Sequence, residues 1–301
     1  MELHQLRYFV AAAEAGTMSL AAQRCDIAQP SLSQQIQKLE YSLGTTLFDR
    51  LGRGISLTPA GKALLPRARR ILAEVLDAQT HLLGDVSEGV GRFAIGAIPT
   101  MAPYLLPDLL VSLRDHFPRC ELLVREDFTE NLVRQLVENQ IDVAIVSTPI
   151  EQELIKVDVV GSEPMLVVIP TDHPLCQCDA IGLPELRGEP TITLSEVHCL
   201  GRQIAGFCSS RGLARRVSCQ TTQIATVLEL VDRGLGVSLI PAMAVTREQS
   251  ATRHFMRMKK GPLTREIALA QRKDRSRSQV TTEMASLLTN QLAKIRKELD
   301  V

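Results

Sequence analysis

Apolar positions in the first ninety residues recur at helical spacing. Leu6, Phe9, Val10 and Ala13 form one stripe, and Gly16 ends it as a C-cap would. Thr17 or Ser19 can cap a short second helix, "LAAQRCD". Ile27 then leads into "AQPSLSQQIQKLEYSLG", where Pro30 suits a first turn and Leu32, Ile36, Leu39 and Leu43 recur at four, three and four before Gly44 stops the helix. The opposite face is polar: Gln29, Ser31, Ser33, Gln34, Gln37 and Lys38. "LFDRLGRGISLT" alternates and is punctuated by glycine, which predicts a two-stranded wing with Arg50 and Arg53 at its tip. Thr58 and Pro59 open a long helix to about Gly84. Within it Leu65, Ala68, Leu72, Val75, Gln79 and Leu82 repeat at 3-4-3-4-3, a coiled-coil seam that implies a partner helix and hence a dimer, and Pro66 should bend its start.

The pattern changes after "SEGVG" (Ser87 to Gly91), a short hinge. Strand-like "RFAIGAI", "CELLVRE" and "DVAIVS" alternate with helical "YLLPDLLVSLRDHF" and "NLVRQLVENQ". A second series follows: "PMLVVIP", "PTITL", a helix from Cys199 to Arg211, "RVSCQT", "IATVLELVDRG", "GVSLIPA" and "REIALAQR". A last helix covers about Ser278 to Leu299. Such alternation predicts parallel sheets flanked by helices, in two lobes with a ligand cleft between them.

With 301 residues, the chain has room for two or three domains. Apolar content of 45% and charge of 23% are those of an ordinary globular protein. No apolar run reaches the roughly 18 residues of a membrane span, and the N-terminus lacks a signal peptide's layout, so a cytoplasmic location and no membrane contact are expected. Seven cysteines without regular spacing do not form a secreted disulfide framework. Net charge is zero, but from Arg50 to Ala73 the chain carries Arg50, Arg53, Lys62, Arg67, Arg69 and Arg70 with no acid among them. That run is either a solvated face or a phosphate-binding surface.

Two short helices joined tightly, the second with a polar outer face, form a helix-turn-helix able to enter a major groove. Glutamine and serine suit base readout there. A plain three-helix bundle fits the helix pattern equally well. The stretch "AAAEAGTMSLAAQRCDIAQPSLSQQIQKLEYSLGTTLFDRLGRGISLTPAGKALL" resembles the N-terminal domain of LysR-type transcriptional regulators. Ala21-Ala22, Gln29-Pro30-Ser31, Ser33, Ile36, Leu39-Glu40, Leu43-Gly44, Leu47-Phe48, Arg50, Leu57-Thr58 and Ala60-Gly61 carry the likeness. It implies contacts to double-stranded DNA from Gln29, Pro30, Ser31, Ser33 and Gln34, with Arg50 and Arg53 on the flanking backbone or minor groove. The expected organisation is an all-α winged helix-turn-helix (1–58), a linker helix (59–86) and an α/β effector domain (87–301) resembling periplasmic binding proteins. Lobe I takes about 91–161 plus 268–301, and lobe II about 162–267. No Gly-rich phosphate loop, dinucleotide fingerprint or HExxH is present, so no cofactor and no enzyme activity are expected.

Cys199 and Cys208 flank the predicted helix in "HCLGRQIAGFC". A cysteine at a helix N-terminus beside a histidinium is placed to be a thiolate, although spacing alone favours an inert buried thiol. Nine helical positions span roughly 13 Å and put the two sulfurs on opposite faces, whereas a disulfide needs α-carbons within about 7 Å. No bond can form while the helix persists. "HCL", Gln203, "GFC", "IPT-x-x-PYLLP" (Ile98 to Pro107), "EPML" (Glu163 to Leu166) and "DHP" (Asp172 to Pro174) resemble the peroxide-sensing branch of the LysR family over essentially the whole chain.

That resemblance implies that Cys199 attacks hydrogen peroxide and Cys208 resolves the sulfenic acid. It places Thr100, Thr129 and His198 around the peroxide, with Arg265 favouring the thiolate. It also implies a homotetramer built from linker-helix dimers, contact with RNA polymerase, activation of antioxidant genes, and re-reduction by thiols such as glutaredoxin or thioredoxin. Val197 departs from the branch's usual glycine, and Gly201-Arg202 from its Arg-Asp pair. His173, Cys176 and Cys178 in "HPLCQC" lack a fourth ligand and a zinc spacing, so no metal is expected. Two other readings stand beside this one. One is a regulator of the same family that senses a small organic effector. The other is a cysteine peroxidase, but Ile192 and Glu196 occupy the offsets where that chemistry needs Pro and Thr or Ser.

Overall fold

Each N-terminal helix begins and ends where local chemistry directs. The first, α1 (Leu3–Ala15), buries Leu6, Phe9 and Ala12 and stops at Gly16, whose φ of 70° is left-handed. Thr17 caps α2 (Met18–Arg24) by accepting from the Leu20 N–H. Helix α3 (Gln29–Leu43) buries Leu32, Ile36 and Leu39 and ends at Gly44, again left-handed. Leu43, the last member of the predicted stripe, is exposed. β1 (Phe48–Leu51) and β2 (Gly54–Leu57) pair as an antiparallel hairpin. The Glu40 carboxylate ties α3 to that hairpin by accepting from the backbone N–H groups of Leu47 and Phe48.

A computed structural model describes residues 1–51, 54–83, 89–259 and 263–299, without the side chains of Arg50, Leu51 and 76–83. Arg53, the Arg50 side chain, Ser87 of the hinge, and the Gln79 and Leu82 side chains therefore lie outside the described residues. The chain divides into two units, residues 1–84 with 137–140 and residues 85–136 with 141–301.

Helix α4 (Pro59–Leu83) starts at Thr58, whose hydroxyl accepts from the Gly61 N–H. The first half of its heptad seam is used within the chain. Ala68 is fully buried, and Leu65 and Leu72 pack on the core built by Leu6, Phe9, Ile36 and Phe48. Leu65 and Leu72 stay partly exposed, so α1 and its neighbours cover that part of the seam only in part.

The second unit is a mixed sheet, not the parallel one that alternation predicts. β3 (Gly91–Ala97) pairs in parallel with β4 (Cys120–Glu126) and β5 (Val143–Ser147). β6 (Ile155–Pro170) and β11 (Thr264–Arg272) run antiparallel to each other, and β11 pairs antiparallel with β5. The reversed strand is β11, which returns from late in the chain, lies between β5 and β6 and runs antiparallel to both. β6 is long enough to serve two neighbourhoods. Residues 155–164 pair with β11, and residues 165–170 pair with β9 (Ser238–Pro241) and β10 (Arg253–Met256). β7 (Pro190–Leu194) and β8 (Arg216–Thr221) form a separate parallel pair. The helices of this unit are α5 (Ala102–His116), α6 (Thr129–Val137), α7 (Cys199–Ser210), α8 (Ile224–Asp232), α9 (Ala242–Val245) and α10 (Gln279–Glu298).

Candidate redox site and nucleic-acid interface

Helix α7 begins at Cys199 because His198 is extended (φ −78°, ψ 138°) and its carbonyl accepts the Arg202 N–H. Leu200, Gly201, Ile204 and Cys208 form the buried face, spaced by four with Gly201 beside Leu200. Gly201 is glycine for a steric reason. A Cβ there would meet the Ser195 carbonyl oxygen at 2.4 Å and that of Leu194 at 2.8 Å. Gly206, by contrast, has open space around it. Both cysteines are free, with Cys199 half-buried and Cys208 fully buried. Two and a half turns of intact helix separate them, so the sulfurs face opposite ways.

Buried polar atoms that lack a hydrogen-bond partner occur on His198 (Nε2) and Gln203 (Oε1), either side of Cys199 in the chain, and on Thr129 (Oγ1), next to the Phe128 that packs on His198. His198 is buried edge-on against Phe128, with ring centroids 4.9 Å apart. Burial lowers its pKa below the ordinary histidine value, partly offset by a hydrogen bond with the Thr222 backbone. The imidazole is therefore neutral near pH 7, and the histidinium expected beside Cys199 is not there. Thr129 opens α6. Gln203, one turn beyond Cys199, donates through Nε2 to Ser147 Oγ at 3.0 Å and to the Thr148 carbonyl at 2.8 Å. A buried donor or acceptor without a partner costs about 1–3 kcal/mol, so each of these atoms calls for a polar partner such as water or a small ligand.

Thr100 and Arg265 belong to an adjoining buried network. Arg265 Nε donates to Glu163 Oε1 at 2.6 Å, Nη1 to Thr100 Oγ1 at 3.0 Å and Nη2 to the Thr100 carbonyl at 3.1 Å. The second oxygen of Glu163 accepts the Met243 N–H at the start of α9. A fully buried guanidinium so paired has its charge spent on Glu163. Arg265 thus holds Thr100 in place.

Cys208 lines a cavity of about 30 Å³ with Ile204, Leu213, Val237 and Leu239. Burial pushes its thiol up, with Arg215 pulling the other way. Val197 is exposed. Arg202 donates to the Glu196 carbonyl at 2.9 Å and lies 3.9 Å from Glu130. Gln203 and Glu163 were legible only as parts of motifs; nothing local in the sequence announced Phe128 or Ser147.

On α3, Gln29, Pro30, Ser31 and Gln34 are exposed, and Gln29 donates to the half-buried Ser33 hydroxyl at 2.9 Å. The polar face is therefore presented as expected. Of the basic run, Lys62, Arg67 and Arg70 are exposed, but Arg69 is paired to Glu14 at 2.8 Å. His173, Cys176 and Cys178 do not converge on a metal site, and no group of three such ligands occurs among the described residues. His173 instead caps its own turn by accepting the Leu175 N–H. No helix among the described residues is long and apolar enough to cross a membrane.

Residues 3–62 match the bacterial regulatory helix-turn-helix protein, lysR family, and residues 87–293 match the LysR substrate binding domain. The chain belongs to the LysR family of bacterial transcriptional regulators. Within that family it is similar to the hydrogen peroxide-sensing regulator OxyR. It is 36% identical to the DNA-binding transcriptional dual regulator OxyR of Escherichia coli over 251 residues, 83% of this chain and 82% of that protein. Among solved structures, full-length OxyR from Pseudomonas aeruginosa with a cysteine-to-aspartate substitution superposes with a TM-score of 0.75 at 27% identity, covering 98% of this chain and 95% of that one. A cysteine mutant of Corynebacterium glutamicum OxyR, bound to H2O2, gives a TM-score of 0.66 at 31% identity, covering 98% and 93%.

Proposed function

We propose that the chain is a DNA-binding transcriptional regulator that senses hydrogen peroxide through a reversible Cys199–Cys208 disulfide. The observation that carries this reading is the trio of unpartnered buried atoms on His198, Thr129 and Gln203, with His198 and Gln203 either side of Cys199 in the chain. Hydrogen peroxide offers two donors and four lone pairs, which suits such a set. Cys199 attacks one peroxide oxygen, the O–O bond breaks, and Cys199 becomes a sulfenic acid as hydroxide leaves and is protonated to water. The Cys208 thiol then condenses with it, releasing a second water. Thiol reductants such as glutaredoxin or thioredoxin return the pair to the reduced state.

In this reading residues 1–58 are a winged helix-turn-helix with the β1–β2 hairpin as wing, residues 59–86 link the domains and dimerise the chain, and residues 87–301 sense the signal. The sensor is read as two lobes, like a periplasmic binding protein, about 91–161 plus 268–301 and 162–267. β6 supports that division, since its two halves join different strands. The boundaries at 162 and 268 fall inside β6 and β11. Gln29, Pro30, Ser31, Ser33 and Gln34 read DNA, with Arg50 and Arg53 on the backbone. A cytoplasmic homotetramer that contacts RNA polymerase and activates antioxidant genes completes the proposal. The test is peptide mapping after one equivalent of peroxide. A Cys199–Cys208 crosslink, lost in Cys199→Ser and replaced by a dimedone-trappable sulfenic acid in Cys208→Ser, is expected. An unmodified Cys199 would overturn the reading.

A further inference from the structure

The "HPLCQC" segment takes no part in the peroxide chemistry, yet it holds two thiols in unequal surroundings. Pro174–Gln177 is a single 3-10 turn, and Cys178 follows it in an extended conformation. Backbone bonds from Cys176 N–H to the His173 carbonyl and from Cys178 N–H to the Leu175 carbonyl fix the turn. Residues two apart at a rise of about 2 Å each lie well inside the roughly 7 Å that a disulfide requires. That condition fails for Cys199 and Cys208 while α7 is intact.

The two sulfurs are not equivalent. Cys176 donates its S–H to the Pro170 carbonyl at the end of β6, at 3.3 Å, and burial pushes that thiol up. Cys178 lies within electrostatic reach of the exposed Lys259 ammonium. Lys259 is anchored nearby, since its N–H bonds the Ile181 carbonyl. Glu185 is paired to the same ammonium at 2.5 Å, and Asp179 is next in the chain to Cys178. Among the described residues, no unpartnered buried polar atom occurs in this turn, unlike the surroundings of Cys199. Nothing there is shaped to hold a peroxide.

We propose that Cys176 and Cys178 form a second redox couple, which exchanges with small disulfides of the glutathione type and does not depend on Cys199 and Cys208. The Cys178 thiolate attacks one sulfur of the small disulfide, giving a mixed disulfide and one released thiolate. Cys176 passes its proton to solvent and attacks the Cys178 sulfur, releasing the second small thiol. Two protein thiols are oxidised and one small disulfide is reduced to two thiols. The ring so closed is tight and partly exposed, which places the couple among the labile, easily reduced disulfides. It would report the thiol–disulfide balance around the protein, whereas Cys199 reports peroxide.

Tryptic peptides separate the two couples. Cys176 and Cys178 share the fragment 157–187, Cys199 lies in 188–202, and Cys208 in 203–211. The full-length protein is equilibrated in glutathione buffers of increasing disulfide fraction, alkylated and mapped by mass spectrometry. The expected result is reversible loss of two hydrogens within 157–187, at the same poise in wild type and in Cys199→Ser. In Cys176→Ser a glutathione adduct should accumulate on Cys178. In Cys178→Ser, Cys176 should react at least about tenfold more slowly. An intact dithiol in every buffer, equal rates in the two single variants, or oxidation only through Cys199 would each overturn the proposal.

Discussion

His198 is the residue whose chemistry departs most from what its sequence position suggests. Adjacent to a cysteine it reads as a cation; buried against Phe128 it is neutral. Its folded pKa lies below the unfolded value of about 6.5, so the unfolded chain takes up a proton first as pH falls. Its contribution to stability is complete above about pH 6.5 and is lost as pH drops towards the folded pKa. Urea unfolding at pH 8 and pH 5 should show a steeper acid loss for wild type than for His198→Asn; parallel losses would contradict a neutral buried ring. The two glycines of α7 make a second contrast. Gly206→Ala should stabilise the reduced protein by about 1 kcal/mol, the helix-propensity difference, because nothing lies within 4 Å. By favouring the reduced state it should raise the disulfide potential by about 20 mV. Gly201→Ala should destabilise instead, since its methyl group meets fixed backbone carbonyls. Denaturation of the reduced variants checks both signs. That difference could not be read from two glycines in one helical pattern, because it depends on the β7–α7 loop folding back over the first turn.

At the scale of elements, local periodicity found α1 to α3, α7, α8 and α10, together with β4, β7 and β8, close to their observed ends. It missed the first half of β6. "IKVDVVGSE" alternates only over "IKVDV" before Val160 and Gly161 break the pattern; the stretch becomes a full strand because β11, some hundred positions later, pairs with it. β10 is four residues long and exists through β6 in the same way. The Glu163–Arg265 pair joins these two distant strands, so the charge balance at Thr100 was invisible from either sequence neighbourhood. Glu163→Gln leaves a buried guanidinium without its carboxylate and should cost about 3–5 kcal/mol. Thermal unfolding measures that loss. A change within 1 kcal/mol would mean that Arg265 finds another partner. Behind α7, the cavity beside Cys208 leaves the inner face of the helix incompletely packed. Releasing Ile204 and Cys208 therefore costs less than leaving a close-packed core.

For the whole molecule, the account joins a DNA-reading unit to a sensing unit within one chain. Gln34→Ala should erode the preference for operator over random duplex, because its side chain is exposed on α3 where base edges would lie. Arg53→Ala should weaken both duplexes alike and flatten the salt dependence by about one unit, as loss of a phosphate contact does. Competition binding across a salt titration separates these outcomes. The central claim concerns α7: nine helical positions hold Cys199 and Cys208 apart, so the bond between them requires that helix to unwind. Hydrogen exchange across residues 199–212, on the full chain bound to DNA, tests this most directly. The account predicts protected amides in the reduced protein and loss of that protection after one equivalent of peroxide, reversed by dithiothreitol. Equal protection in the two redox states, with the disulfide confirmed by mass, would contradict it.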